Sequence, residues 1–194
     1  MLPLCEHRSA NTAVPLLSAI RLLAMDVDGV LTDGTIGYSS DGREDKRFHV
    51  HDGLGLTLLA AAGVNVAWIS GRVSAAVERR ATELGVGHLL QGVRDKQCAL
   101  QDLVQDLGIT APEVAYIGDD WNDLGAFAVC GLKIAVANAR IEVLDRADYV
   151  TRAQGGCGAV REVCDALLDA RGIQDEVLAD YLRSLTAGTI PSRQ

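Results

Sequence analysis

Short apolar runs alternate with amphipathic stretches along most of the chain. The apolar runs have the length of strands, and the stretches between them show the spacing of helices. Strands are predicted at residues 22–27, 64–70, 88–91, 113–118, 132–136 and 148–150. Helices are predicted at residues 55–63, 74–85, 96–108, 122–131 and 139–147. Apolar strands that alternate with helices predict an α/β fold, a doubly wound, mostly parallel, Rossmann-like sheet covered on both faces.

One segment interrupts this alternation. Residues 35–50 have the pattern of two strands around an Asp41-Gly42 turn, which is a hairpin signal. The segment directly follows the first predicted strand and its loop. We therefore expect a β-hairpin that projects over the carboxyl end of the sheet, with His49 and His51 at alternate positions of its second strand.

The chain of 194 residues fits one main domain. We expect an N-terminal extension at residues 1–20, the main domain at 21–172, and a C-terminal helix and tail at 173–194. The net charge of −8 disfavours nucleic acid and anionic membranes as partners, and no apolar run approaches the length of a membrane span. Five cysteines without metal-type spacing indicate reduced thiols and a cytoplasmic protein.

Carboxylates follow two of the predicted strands. Asp26 and Asp28 end the run LLAMDVDG, and Asp119, Asp120 and Asp123 follow the fourth strand in YIGDDWNDL. Ligands of parallel sheets bind beyond the carboxyl ends of the strands, so both clusters fall where a site is expected. Aligned carboxylates repel each other unless a cation lies between them, and oxygen ligands of this kind suit Mg²⁺. The two clusters can meet only if their strands are neighbours.

Candidate phosphate-binding groups lie at the end of the second strand and directly after it. Ser70, Gly71 and Arg72 offer a hydroxyl, a backbone N–H and a cation, and Lys96 begins the next helix but one. Such groups suit phosphate oxygens, and they offset the repulsion that a carboxylate meets when it approaches a phosphate dianion. The glycine cluster at residues 155–158 has two open interpretations: a close approach to an anion, or a simple entry into a last packing helix.

Four segments in this order, DVDGVLTDG, ISGR, the isolated Lys96 and GDDWND, resemble the ordered motifs of the haloacid dehalogenase superfamily of phosphatases. The resemblance covers roughly residues 22–165. It implies that Asp26 is the nucleophile, which forms an aspartyl-phosphate. It also implies that Asp28 is the general acid and then the general base.

The same resemblance implies the remaining site residues. Ser70 and Lys96 hold the phosphoryl group. The metal ligands are Asp26, Asp119 and the backbone carbonyl of Asp28, around a Mg²⁺ ion. Asp123 and Asp120 support that metal site.

The gaps between the motifs leave no room for a cap domain, so the resemblance is to the capless members of the superfamily. In those members neighbouring subunits cover the site, which implies a homo-oligomer, by resemblance a tetramer. The segments KRFHVHDGLGL, ADYVT and GGCGAVREVCD further resemble capless phosphatases of small phosphorylated sugar acids.

This resemblance implies that the substrate is 3-deoxy-D-manno-octulosonate 8-phosphate. The alternatives are a nine-carbon ulosonic acid 9-phosphate and a non-catalytic oligomerisation module like those appended to CMP-sialate synthetases. The expected substrate contacts are Gly71, Arg72, His51 and Thr35. His51 and Cys157 stand where these phosphatases usually carry arginine.

Overall fold

A six-stranded sheet forms the centre of the protein, in a computed structural model that describes residues 17–186. The strands in chain order are β1 (Leu22–Met25), β2 (Gly37–Tyr38), β3 (Glu44–Asp45), β4 (Asn65–Ser70), β5 (His88–Gln91), β6 (Val114–Gly118), β7 (Leu132–Ala135) and β8 (Tyr149–Val150). Strands β2 and β3 form a separate two-stranded hairpin, and the other six strands form the sheet. The order across the sheet is β5-β4-β1-β6-β7-β8, and all neighbouring strands pair in parallel. The predicted doubly wound α/β fold is confirmed.

Helices cover both faces of this sheet. They are α1 (Val50–Ala61), α2 (Ala75–Leu84), α3 (Lys96–Asp106), α4 (Leu124–Phe127), α5 (Ile141–Leu144), α6 (Ala159–Ala170) and α7 (Gln174–Thr186). The core under α1, α2 and α6 is separate from the core under α3, α4 and α5. Side chains of β1 alternate between these two cores: Leu23 and Met25 enter the first, and Leu22 and Ala24 enter the second.

The order of the strands reverses at β1, which has β4 on one side and β6 on the other. This reversal places the carboxyl ends of β1 and β6 next to each other, with Met25 paired to Ile117 in register. The condition for the two carboxylate clusters to meet is therefore satisfied. Such a reversal point is also where open α/β sheets bind their ligands.

The hairpin is present but shorter than predicted. Its strands β2 and β3 contribute two residues each, and α1 already begins at Val50. His49 is the N-cap residue of α1 and His51 lies in its first turn, so their placement on a hairpin strand is wrong. Alternation of His49 and His51 resembles a strand, but burial of Asp52 and Leu56 against α6 and the core selects a helix.

The two ends of the chain are described in part. Residues Leu17–Ala19 form a single 3-10 turn against α6, and Ile20 is fully buried. The rest of the predicted N-terminal extension, and the tail after residue 186, lie outside the described residues. Across residues 17–186, every helix is too short or too polar to traverse a lipid bilayer.

Candidate active site

The turn after β1 carries the first two carboxylates. The strand ends at Met25, so Asp26 and Asp28 lie in the turn and not on a continuing strand. Both nevertheless line one cavity. Residues two apart on a continuing strand would point to the same side, but this alternation is not the cause here, because the strand has already ended. The turn itself brings them together: Asp26 Oδ1 accepts the Val27 N–H at 2.7 Å, and the Val27 carbonyl accepts the Leu31 N–H at 2.9 Å.

Glycines allow this turn to pack closely against its neighbours. Gly29 has φ +98°, and a Cβ there would lie 2.1 Å from Asp119 Oδ2. A Cβ on Gly155 would lie 1.7 Å from the Gly29 carbonyl oxygen, and the Gly156 N–H donates to the Val30 carbonyl at 2.9 Å. Of the two interpretations of the glycine cluster, packing accounts for Gly155 and Gly156, because their backbone fits against the turn.

A buried ionic cluster lies beneath the turn, formed by Asp26, Lys96, Asp123 and Tyr116. Lys96 Nζ lies 2.8 Å from Asp26 Oδ2 and 2.8 Å from Asp123 Oδ1. The Tyr116 hydroxyl donates to Asp123 Oδ1 at 2.8 Å, and the Asp119 N–H donates to Asp123 Oδ2 at 2.9 Å. Both oxygens of Asp123 are thus engaged by the protein, which fits its predicted role as a support.

Burial and mutual repulsion shift the pKa values of Asp26, Asp119 and Lys96. Desolvation, with the charge of Asp123, raises the pKa of Asp26 to about 6 against the opposing effect of Lys96. Desolvation, with Asp123 and Asp26, raises the pKa of Asp119 to about 8. Burial alone would lower the pKa of Lys96, but Asp123 and Asp26 outweigh it and raise that pKa. The cluster therefore holds more negative charge than Lys96 can balance.

The cavity has a volume of about 460 Å³. The residues that line it are Asp26, Asp28, Gly34, Ser70, Gly71, Arg72, Asp119, Asp120, Trp121 and Asn122. The structure thus brings together residues predicted from three strand ends. Lys96 and Asp123 lie beneath the cavity and contact it through Asp26 and Asp119. Lys96 accordingly pairs with the carboxylates and does not line the cavity.

The sequence favours Trp121 as a packing residue, but within the described chain it does not pack into the core. Its side chain is 61% exposed at the rim of the cavity. Asp120 accepts the Trp121 N–H at 2.7 Å and so caps the short turn that presents Trp121 and Asn122.

Two of the expected substrate contacts lie apart from the cavity lining. Thr35 donates its hydroxyl to Asp33 Oδ1 at 2.6 Å, one residue beyond the lining residue Gly34. His51 is exposed in the first turn of α1, and its ring centroid lies 5.0 Å from that of His49. Within the described chain, the structure does not bring His51 or Thr35 to the cavity.

The hairpin adds charged residues that sequence reasoning missed. Lys46 Nζ pairs with Asp28 Oδ1 and lies 3.1 Å from Glu44 Oε1. Glu44 Oε2 accepts the Arg72 guanidinium at 2.6 Å. These four residues, Asp28, Lys46, Glu44 and Arg72, form a second ionic group, the rim chain. The mixed charges of GREDKRF gave no signal of this, because exposed hairpins commonly carry such residues.

The arrangement fits a divalent cation. Carboxylate oxygens of Asp26, Asp119 and Asp123 lie within 4.8 Å of one another. Asp119 Oδ1 is buried and has no hydrogen-bond partner among the described residues. Such an orphaned oxygen in a cluster with excess negative charge is what a Mg²⁺ ligand presents before the ion binds.

Comparisons with known proteins agree with this site. The family model of haloacid dehalogenase-like hydrolases matches residues 88–162. The chain is 49% identical over 157 residues to the 3-deoxy-D-manno-octulosonate 8-phosphate phosphatase KdsC of Escherichia coli K12, over 81% of this chain and 84% of that protein. The chain therefore belongs to the haloacid dehalogenase-like hydrolases.

Solved structures of phosphatases from two organisms are also similar to this chain in fold and sequence. The 3-deoxy-D-manno-octulosonate 8-phosphate phosphatase of Moraxella catarrhalis, a complex with magnesium ion, phosphate ion and KDO, has a TM-score of 0.82 and 48% identity, covering 85% of this chain and 95% of that one. The cobalt-bound enzyme of Haemophilus influenzae has a TM-score of 0.78 and 45% identity, covering 82% and 95%.

Proposed function

We propose that this protein is a Mg²⁺-dependent phosphatase of a small sugar-acid phosphate, and that its substrate is 3-deoxy-D-manno-octulosonate 8-phosphate. The observation that carries the proposal is the convergence of Asp26, Asp28 and Asp119 on one cavity. A second observation supports the proposal: the chain is 49% identical to a phosphatase that is named for this substrate. A cavity of about 460 Å³ has the size of a small-molecule site.

Asp26 serves as the nucleophile. A pKa of about 6 leaves its carboxylate mostly ionised at neutral pH. One carboxylate oxygen forms a bond to phosphorus while the bond from phosphorus to the sugar oxygen breaks, and Asp28 donates a proton to that leaving oxygen. Asp28 then takes a proton from a water molecule, whose oxygen attacks phosphorus and releases inorganic phosphate from Asp26.

The phosphoryl group lies against the last residue of β4 and the loop that follows it. Ser70 is buried at the cavity wall, where its Oγ accepts the Arg72 N–H at 3.1 Å and retains a proton to donate. Gly71 offers its backbone N–H beside it. Lys96 acts from below, since it balances the charge of Asp26 from the side opposite the cavity.

Asp26, Asp119 and the backbone carbonyl of Asp28 would hold Mg²⁺, with Asp123 and Asp120 in support. When bound, the cation offsets the repulsion between the phosphate dianion and these carboxylates. The unpartnered Oδ1 of Asp119 supports this assignment.

Phosphate release from 3-deoxy-D-manno-octulosonate 8-phosphate tests the proposal. We expect turnover with Mg²⁺, none with EDTA, and a loss of roughly 10³-fold or more in Asp26→Asn. Asp102→Asn is the matched control, because it makes the same change on the exposed surface of α3. Undiminished release by Asp26→Asn would contradict the assignment. A folded wild-type protein without activity would favour the non-catalytic module.

The identity of the sugar is decided by competition between substrates. We expect kcat/KM to be highest for the eight-carbon 8-phosphate when it is compared with nine-carbon ulosonic acid 9-phosphates. A higher value for a nine-carbon ester would replace the substrate and leave the chemistry of the site unchanged.

We also propose that the protein is a cytoplasmic homotetramer in which neighbouring subunits cover the open site. Large apolar side chains are exposed within a few positions of the lining residues Gly34 and Arg72, which supports an interface there: Ile36 is 46% exposed, Tyr38 66% and Val73 77%. Analytical ultracentrifugation decides the oligomeric state, and a monomer at micromolar concentration would contradict it.

A further inference from the structure

We infer that Lys46 is a positioning residue that holds Asp28 in place for proton transfer to the leaving group. The inference rests on the proposed phosphatase function, in which Asp28 is the general acid. It concerns a side chain that comes from the hairpin and lies outside the four motifs.

Lys46 is nearly inaccessible to water. Its side chain is 1% exposed, although Lys46 directly follows the second strand of a hairpin whose strands are only two residues long. A buried ammonium group requires compensation by opposite charge. Glu44, which stays ionised, supplies this charge, since its Oε1 lies 3.1 Å from Nζ, and the Asp28 carboxyl group pairs with Nζ through Oδ1.

The Asp28 side chain is 20% exposed and faces the cavity, so it needs a fixed partner to keep one orientation. Lys46 engages Oδ1, which leaves Oδ2 as the oxygen that exchanges a proton with the substrate. Proton transfer requires a heavy-atom distance of about 3 Å, and a carboxyl group that rotates freely spends little time there.

Glu44 and Arg72 extend this support to the neighbouring loop. The Arg72 guanidinium donates to Glu44 Oε2 at 2.6 Å, and its hydrogen bond lowers the pKa of Glu44, so Glu44 remains a carboxylate. Glu44 thus fixes Lys46 against the loop that follows β4. The hairpin base is in this way tied to two of the loops that line the cavity.

The dependence of kcat/KM on the leaving group distinguishes a role in proton transfer from a merely structural role, which would affect both esters equally. An alkoxide leaving group, as in a sugar phosphate, requires a proton from Asp28. The nitrophenolate of p-nitrophenyl phosphate leaves without one. The ratio kcat/KM reports the first irreversible step, which here is transfer of the phosphoryl group to Asp26.

The experiment compares Lys46→Met with wild type on both esters, in the presence of Mg²⁺. We expect kcat/KM to fall about 100-fold for the sugar-acid phosphate and less than about 5-fold for p-nitrophenyl phosphate. Lys46→Arg keeps a cation at this position and should show the same dependence on the leaving group with a smaller loss. Arg43→Met is the control, since Arg43 lies in the same hairpin, pairs with Asp41 and is 84% exposed.

Equal losses on the two esters, or no loss, would overturn the role of Lys46. Should the wild type leave the sugar-acid phosphate intact, that part of the proposed function fails, and the alkyl phosphate that it hydrolyses best replaces it as the second ester. A wild-type protein that hydrolyses neither kind of ester overturns both inferences. Should Lys46→Met not fold, Lys46→Arg decides by the same ratio.

Discussion

Two ionic groups flank the turn that carries Asp26 and Asp28, and they are built differently. The charged residues of the buried ionic cluster beneath Asp26 lie at or just beyond the ends of strands and helices, and the side chains of Lys96 and Asp123 are at most 1% exposed. The rim chain beside Asp28 begins in a short hairpin, and its Arg72 side chain is 41% exposed. The cluster is fixed by the core, whereas the rim chain is held mainly by its own ion pairs.

This difference separates stability from catalysis. Loss of a charge in the buried cluster leaves its partners desolvated and unpaired, so the whole fold is affected. Loss of a charge in the rim chain leaves partners that retain contact with water, so the effect is expected mainly at Asp28.

The largest expected effect is the contrast between Lys96→Met and Lys46→Met in free energy of unfolding. Lys96→Met leaves Asp26 and Asp123 buried without a counter-charge and should cost about 3–5 kcal/mol. Lys46→Met should cost about 1–2 kcal/mol, because Asp28 and Glu44 are partly hydrated. Denaturant unfolding of the metal-free proteins measures both. Lys133→Met is the control, since its pair with Asp148 is longer, at 3.7 Å, and only partly buried. Equal costs would mean that the two groups do not differ as described.

The second prediction concerns pH and Mg²⁺. The pKa of Asp26 is raised to about 6 and that of Asp119 to about 8, both from the ordinary value of 3.8. The folded metal-free protein therefore binds more protons than the unfolded chain, and its stability should fall as pH rises from about 4 to 8.

Mg²⁺ should remove this loss, because it binds the ionised carboxylates. At 100 times its dissociation constant the ion adds about 2.7 kcal/mol. The increase in Tm on addition of Mg²⁺ should be larger at pH 8 than at pH 6, where protons compete with the ion for Asp119. Asp119→Asn, which cannot bind that proton, is the comparison variant. A Tm that is independent of Mg²⁺ at both values of pH would contradict the metal site.

The smallest effect is expected at the tip of the hairpin. Gly42 has φ +81°, and a Cβ on it would meet nothing within 4 Å, so Gly42→Ala introduces backbone strain without a clash. We expect a loss of about 1 kcal/mol and an unchanged kcat/KM, since the rim chain begins at the hairpin base. A tenfold loss of kcat/KM would show that the tip contributes to the site.

The sequence was sufficient for much of the site, since its groups lie where strands end. Asp26 after β1, Ser70 at the end of β4 and Asp119 after β6 could be located because apolar runs mark those strands. The surroundings of Asp28, the proposed proton donor, were harder to predict from the sequence. Lys46 approaches Asp28 across 18 positions of chain, through a hairpin whose two-residue strands carry almost no periodic signal.

Sequence by itself determined the doubly wound sheet and the strand ends that carry the carboxylates, because burial imposes a period on side chains that the residue order displays. Tertiary structure alone decided which charges meet. It placed β1 beside β6, and it placed His51 in the first turn of a helix, away from the cavity. It also brought Lys96 beneath Asp26 and Lys46 beside Asp28. Ion pairing depends on distances between segments far apart in the chain, and no local pattern records those distances.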